Sequence, residues 1–271
     1  PLIVKKSSIL VFLLFNLITF SQEKTIDTTK VVGWQKSGKT SFLINQTAFS
    51  NWISGGENSI AGTLSVDYNL NYYKNGWSWD TKMIGSFGVN KNSDSKFFKK
   101  IDDRIEINSV MGKKFIDEFS FSSFLNFKTQ FAKGFKYSTN DDGNEVRKEK
   151  TRIFSPAYTQ LGVGIYWKES NSLWVNFAPI TARLILASKK FTNDLGEDEE
   201  YFGIPRGENS RFELGASISA FYKFELVENV SLEQRVNFYS DYLYKADNID
   251  VDYTLSAFMK VNDYLSTNSN L

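Results

Sequence analysis

Acidic and basic side chains recur at every second position of long segments whose other positions are apolar. The acids on this polar face are Asp67, Asp80, Glu106, Glu213, Glu233, Asp250 and Asp252; the bases are Lys82, Arg104, Lys128, Arg152, Arg183, Lys223, Arg235 and Lys260. An ion-selective constriction would show one sign of charge. Near balance instead predicts pairing across a narrow interior, because an unpaired buried charge is costly to desolvate. The sharpest expectation is that Arg235 bridges Asp250 and Asp252 on the next segment, with Glu233 beside it. Catalysis is not expected. The chain contains no histidine and no cysteine, so a Ser–His, Asp–His or thiol mechanism has no base or nucleophile. Zinc and copper lose their usual ligands, and no Ser–Lys pair stands out.

Two acidic loop clusters have oxygen ligands of the kind calcium takes: Asp141, Asp142 and Glu145, and Asp194, Glu197, Asp198, Glu199 and Glu200. Neither has EF-hand spacing. They read as solvated loops or as divalent-bridged contacts to lipopolysaccharide phosphates, so no metal and no cofactor is assigned. The most distinctive loop runs Asn51, Trp52, Ile53, Ser54, Gly55, Gly56, Glu57. Gly55 and Gly56 allow a tight turn, and Trp52 is expected to cap the structure or to meet a partner.

The elements that would position these groups are strands. Phe, Tyr and Trp make up 16% of the 271 residues, proline occurs four times, and 41% of residues are hydrophobic. That apolar fraction is low for a helical membrane protein and suits strands with only one face in lipid. Ile60, Gly62, Leu64, Val66, Tyr68, Leu70 and Tyr72 share one face of one segment, and Thr63, Ser65, Asp67, Asn69 and Asn71 the other. The same alternation recurs along the chain, with a change of parity past Pro179 that predicts a β-bulge.

The connections alternate in length. Asn75-Gly76, Asp117-Glu118, Lys168 to Ser172, Glu228-Asn229 and Asn262-Asp263 are tight; 90–102, 132–151, 188–210 and 241–248 are long and polar. Short turns at one end and long loops at the other are the rhythm of a transmembrane β-barrel. Segments of about 13 residues, tilted near 40°, rise roughly 33 Å, enough for an apolar band of about 25 Å. Aromatic residues beside the short turns (Tyr72, Trp77, Trp79, Phe115, Phe119, Tyr166, Trp167, Trp174, Tyr222, Phe224 and Tyr264) are expected to form an interfacial girdle.

Lys5 and Lys6 precede an apolar run, Ile9 to Phe20, too short to span a bilayer. Thr19 and Ser21 suit cleavage before Gln22. Residues 1–21 therefore read as a signal peptide, 22–39 as a short periplasmic segment and 40–271 as the barrel. No cysteine is available for lipidation. Loss of Lys5 and Lys6 takes the formal charge from +1 to −1, which gives nucleic acid no basic face to bind. Counting from Thr40 yields about ten full strands and one begun; an even number, about twelve, is expected of a closed barrel, so the C-terminus reads as clipped.

The segment Phe42 to Gly62, FLINQTAFSNWISGGENSIAG, resembles the signature of an uncharacterised Bacteroidota outer-membrane family, domain of unknown function 3078. Gly76 to Asp80, Lys100 to Gly112, Leu125 to Gly134, Ser155 to Tyr158 and Val236 to Asp252 are similar to it too, so the resemblance extends over nearly the whole mature chain. It implies an outer-membrane barrel and brings no activity or catalytic residue. The overall expectation is an all-β antiparallel barrel of unknown cargo, narrow or closed, held in the outer membrane among lipid and lipopolysaccharide. Its long loops are open to a protein partner. A small-solute channel and a soluble lipocalin-like barrel are the alternatives.

Overall fold

The structure is a computed structural model that describes residues 32–49, 56–244, 246–260 and 266–270. The signal segment, the start of the 22–39 segment, Asn51, Trp52, Gly55, Tyr264 and the side chain of Lys260 lie outside the described residues.

In chain order the elements are β1 (Gly33–Thr47), β2 (Ser59–Lys74), β3 (Trp77–Asn92), β4 (Lys99–Ile116), β5 (Phe119–Thr129), the hairpin β6 (Gly134–Thr139) and β7 (Glu145–Thr151), β8 (Ala157–Lys168) and β9 (Leu173–Leu186). There follow a single-turn helix α1 (Lys189–Thr192), the short strands β10 (Glu200–Tyr201) and β11 (Ile204–Pro205), then β12 (Ser210–Val227), β13 (Val230–Asp241), β14 (Ile249–Lys260) and β15 (Ser266–Asn270). One 11-stranded sheet takes them in the order β1-β2-β3-β4-β5-β8-β9-β12-β13-β14-β15, every neighbouring pair antiparallel. This is an all-β, barrel-like fold that is not closed: among the described residues β1 and β15 do not pair with each other. Ten full strands and one begun are what the alternation predicts. No described helix is long and apolar enough to cross a membrane.

The first strand begins at Gly33, ahead of the expected Thr40. Trp34 faces Tyr72 across the pair, so aromatic packing extends a strand whose own apolar alternation is weak. The connection expected over 90–102 shrinks to 93–98, because its polar flanks still pair: Ser59 with Asn92 and Asn90 with Lys99. At Asn75-Gly76 both residues have positive φ, 52° and 74°, the conformation a two-residue hairpin turn requires.

The proline at 179 produces the bulge. Between the Gly162–Thr181 and Ile165–Phe177 neighbourhoods, Ala178 and Pro179 stand against Gly164 alone, and on the other side Pro179 and Ile180 stand against Ala216. A β-carbon on Gly164 would lie 1.9 Å from the Phe177 carbonyl oxygen, so glycine alone lets the strands close over the extra residue. Beyond the bulge, Thr181 and Arg183 point inward.

Large apolar residues cover the convex face: Leu64, Val66, Phe87, Leu125, Leu161, Val163, Ile180, Phe212 and Ile218 are all exposed. Near the short turns, Trp34 packs on Tyr72 and Trp79, with ring centroids 5.0 and 5.7 Å away, Phe115 on Phe121 at 4.5 Å, and Tyr222 on Phe224 at 5.1 Å. Trp77 and Phe119 are exposed beside them, so the expected clustering of aromatic residues near the short turns is present. Tyr166 and Trp174 are the exceptions: both turn inward and line the interior.

The tightest apolar packing sits at the long-loop end. Ile204 is fully buried against Ile185 and Ala187, with Tyr158 and Tyr201 around them.

Candidate functional site

The interior is a cavity of about 960 Å³ lined by residues from β2 round to β14. Strand register arranges its lining in rows. One row crosses seven strands, Asn69, Lys82, Asn108, Asn126, Gln160, Arg183 and Glu213, each opposite the next. The row nearer the long loops carries Asp67, Ile84, Glu106, Lys128, Tyr158, Ile185 and Arg211; the row nearer the short turns carries Asn71, Asp80, Val110 and Phe124. Side chains two positions apart on a strand share a face, which is why the period-two polar pattern becomes a continuous polar surface.

Most charges in these rows are paired. Lys82 meets Asp67 at 3.1 Å, and Glu106 takes Lys128 at 3.4 Å with Arg104 at 4.0 Å. Arg183 joins Glu213 at 3.2 Å and Asp250 at 2.8 Å, while Arg211 holds the other oxygen of Glu213 at 2.9 Å. The Glu213 side chain is 5% exposed, so its charge depends on the two guanidiniums. The guanidinium of Arg183 also lies 3.6 Å from the Tyr239 ring centroid. Glu213, Arg211, Tyr239 and Asp250 line a second, smaller cavity of about 140 Å³. Nearer the short turns, Lys223 pairs with Glu233 at 2.9 Å.

The expected Arg235 bridge is not formed. Arg235 faces Thr254, and Asp252 faces Asn237, because the pairing of β13 with β14 offsets them along the strand. The Arg235 guanidinium lies over the Phe221 ring at 4.7 Å and, among the described residues, makes no ion pair. Asp250 belongs instead to Arg183, three strands away in the sheet, since the curved sheet brings β9 and β14 within reach across the interior. Arg152 also departs from expectation. It stands in the loop region, 2.6 Å from Glu149 and over the Phe191 ring at 5.6 Å. Asp80, Arg235 and Asp252 line the cavity.

Aromatic rings form the short-turn side of the cavity, and the sequence pattern as read above missed them. Trp174 lies 5.6 Å from Tyr166 and 5.8 Å from Phe221. Phe124 is buried nearby, and Ser122 donates to Asn176 at 2.7 Å. Strict parity was the signal: Phe124 shares a face with Asn126 and Lys128, and Trp174 with Asn176.

At the other end the long connections fold onto one another. Glu145 accepts from the Ser95 hydroxyl at 3.0 Å and the Lys96 backbone N–H at 2.7 Å, and pairs with Lys99 at 2.8 Å. The Lys99 ammonium and these donors hold its carboxyl down to about 2. Glu145 is thereby turned to β4 and its preceding loop rather than to Asp141 and Asp142. No group of three or more acids among the described residues is placed to hold a metal ion. Arg147 is sandwiched between Phe97 and Phe135, at 4.5 and 4.2 Å. Asp103 accepts from the backbone N–H groups of Phe131 and Ala132 at 2.7 and 2.9 Å. Glu149 links Arg152 with Lys190, each at 2.6 Å, and those cations lower its pKa. The Tyr201 hydroxyl lies 2.6 Å from the Lys150 carbonyl oxygen and 3.1 Å from that of Ser155. Of the glycine-rich loop, Glu57 accepts from the Asn92 amide at 2.8 Å. Gly56 leaves room for the Phe49 ring, which a β-carbon there would meet at 2.8 Å.

Fold and site together define an antiparallel, barrel-like β-protein with a polar, charge-paired interior. The family model described as protein of unknown function, DUF3078, matches residues 44–135, the stretch from the end of β1 into β6. That supports the resemblance to an uncharacterised family over this part; Ser155 to Tyr158 and Val236 to Asp252 lie outside the match. The chain matches no curated protein.

Proposed function

We propose that the chain is a β-barrel of the bacterial outer membrane, reached by secretion behind a signal peptide, with a narrow lumen that admits only small polar solutes. The distribution of polarity carries this reading: apolar side chains cover the convex face and polar ones the concave face. A soluble lipocalin-like barrel would have the reverse, a polar exterior around an apolar pocket. The aromatic cluster of Trp34, Tyr72 and Trp79 suits the interfacial level of a bilayer. Lipid and lipopolysaccharide are then the immediate surroundings, and the docked loops are the surface offered to a protein partner. Paired lumenal charges favour low conductance over an ion-selective pore. No catalytic role is proposed, since the chain lacks histidine and cysteine.

Fractionation and single-channel recording test this together. The protein is expected in the outer-membrane fraction, extractable only with detergent, and to give small or unresolved conductance steps in planar bilayers. Recovery as a soluble periplasmic protein would overturn the membrane reading; large, stable conductance would overturn the narrow lumen.

A further inference from the structure

The charges around the middle row of the lumen are largely committed to one another; of the amides within it, Asn69 donates to Asp67 at 3.3 Å, but the other three are not committed. Asn108, Asn126 and Gln160 sit on three consecutive strands of the sheet, β4, β5 and β8. Asn71 and Asn237 approach the same cavity from β2 and β13. Among the described residues none of these five side chains makes a hydrogen bond within the protein. An amide carries both donors and an acceptor, and such groups facing a cavity present their polar edges to whatever fills it. Aromatic rings flank them, Trp174, Tyr166 and Phe124 towards the short turns and Tyr158 towards the long loops.

We propose that this cavity is a binding site for a neutral polyhydroxylated solute, of the saccharide class; the proposal rests on the outer-membrane barrel reading above. Each sugar hydroxyl both donates and accepts, and so matches an amide edge. The apolar C–H face of a pyranose ring matches an aromatic wall. The paired salt bridges leave little net field to select an ion. The carboxylates of Asp80 and Asp252 face the same space and would accept charge-assisted hydrogen bonds from hydroxyls, while the Arg235 guanidinium lining the same cavity offsets part of their charge, so the lining favours neither sign of ion. A volume of about 960 Å³ lies at the upper end of the roughly 300–1,000 Å³ usual for small-molecule sites, room for more than one sugar ring.

The test uses the full chain folded in detergent micelles, with maltotriose, zwitterionic triglycine and citrate as probes in calorimetric titration. Flotation with lipid vesicles and heat-dependent gel mobility are measured on the same preparation. Maltotriose is expected to bind more tightly than either comparator. The N126A/Q160A double variant should lose about tenfold or more in affinity, the scale of two modest hydrogen bonds. Leu125→Ala, on the opposite face of β5, should leave affinity unchanged. A sugar-dependent change in tryptophan emission that Trp174→Phe abolishes would locate the ligand even if the amide variant fails to fold. Triglycine or citrate binding better than maltotriose, or no maltotriose binding by a barrel that floats and shows heat-dependent mobility, would overturn the saccharide assignment alone. Failure to float would overturn the membrane reading and this inference with it.

Discussion

Arg183 is the side chain whose removal should cost the interior most. It lies in the middle row of the lumen because the bulge at Pro179 turns it inward, and it touches Glu213 at 3.2 Å and Asp250 at 2.8 Å. The two partners differ in weight. The Asp250 side chain is 69% exposed, so its share is that of a solvated pair, about 0–1 kcal/mol. The Glu213 side chain is almost fully enclosed, and breaking a buried pair from one side typically costs about 3–5 kcal/mol. Arg211 still holds one oxygen of Glu213 at 2.9 Å, which reduces the loss. The second oxygen makes no hydrogen bond even in the intact structure, so what it loses is the ion pair to Arg183, about 1–3 kcal/mol with Arg211 still in place. Arg183→Met also takes the guanidinium from over the Tyr239 ring, about 0.5–1 kcal/mol, and should therefore lower barrel stability by about 2–4 kcal/mol. Arg235→Ala removes only an exposed stack on Phe221, about 0.5–1 kcal/mol. Equilibrium unfolding in denaturant with the protein in lipid vesicles measures both. An Arg235→Ala loss equal to or larger than that of Arg183→Met would refute this account of the lumen, as would full suppression of the Arg183 effect by the solvent at every salt concentration.

The Lys99 ammonium and the neighbouring donors hold the docked Glu145 carboxyl down to about 2, below the ordinary carboxylate value of about 4.3. Its depressed pKa gives stabilisation that is present above about pH 4.3 and lost as the pH falls towards 2. Protease cleavage within the hairpin of β6 and β7 should rise over that window, and Glu145→Gln should make cleavage at pH 7 resemble that of the wild type in acid. Gly164→Ala should cost at least about 1–3 kcal/mol, the range for forced overpacking, because the new methyl group would overlap the Phe177 carbonyl at the bulge; unchanged unfolding midpoints would show that the strand yields there.

The alternation of apolar and polar residues made the strands, their turns and the two faces legible before any coordinates. It also located the bulge, since Pro179 interrupts a ladder and the parity of Ile180, Ala182 and Leu184 reverses past it. The charged positions were legible as one face, but not their partners. Arg183 reaches Asp250 across the interior, a distance set by the curvature of the whole sheet and by no local spacing. Arg235 failed as a bridge because register between β13 and β14 depends on the turn that joins them, which shifts every pairing by its length. Trp174 and Tyr166 were assigned to the outer girdle on residue type and closeness to a turn, where parity alone would have sent them inward. The amide row was legible residue by residue and invisible as a row, because it exists only across strands.

The long connections are where a barrel of this kind would meet the outside, and those over 93–98, 130–156 and 187–209 are already braced. Arg147 is wedged between two phenyl rings, Glu145 ties its hairpin to the neighbouring loop, and Ile204 seals a small apolar core beneath α1. Ordering a floppy loop consumes part of the free energy of any encounter, about 0.5–1.5 kcal/mol for each side chain immobilised. In this molecule that ordering is completed during folding. A partner arriving at these connections would meet a surface whose shape is set before contact rather than moulded by it.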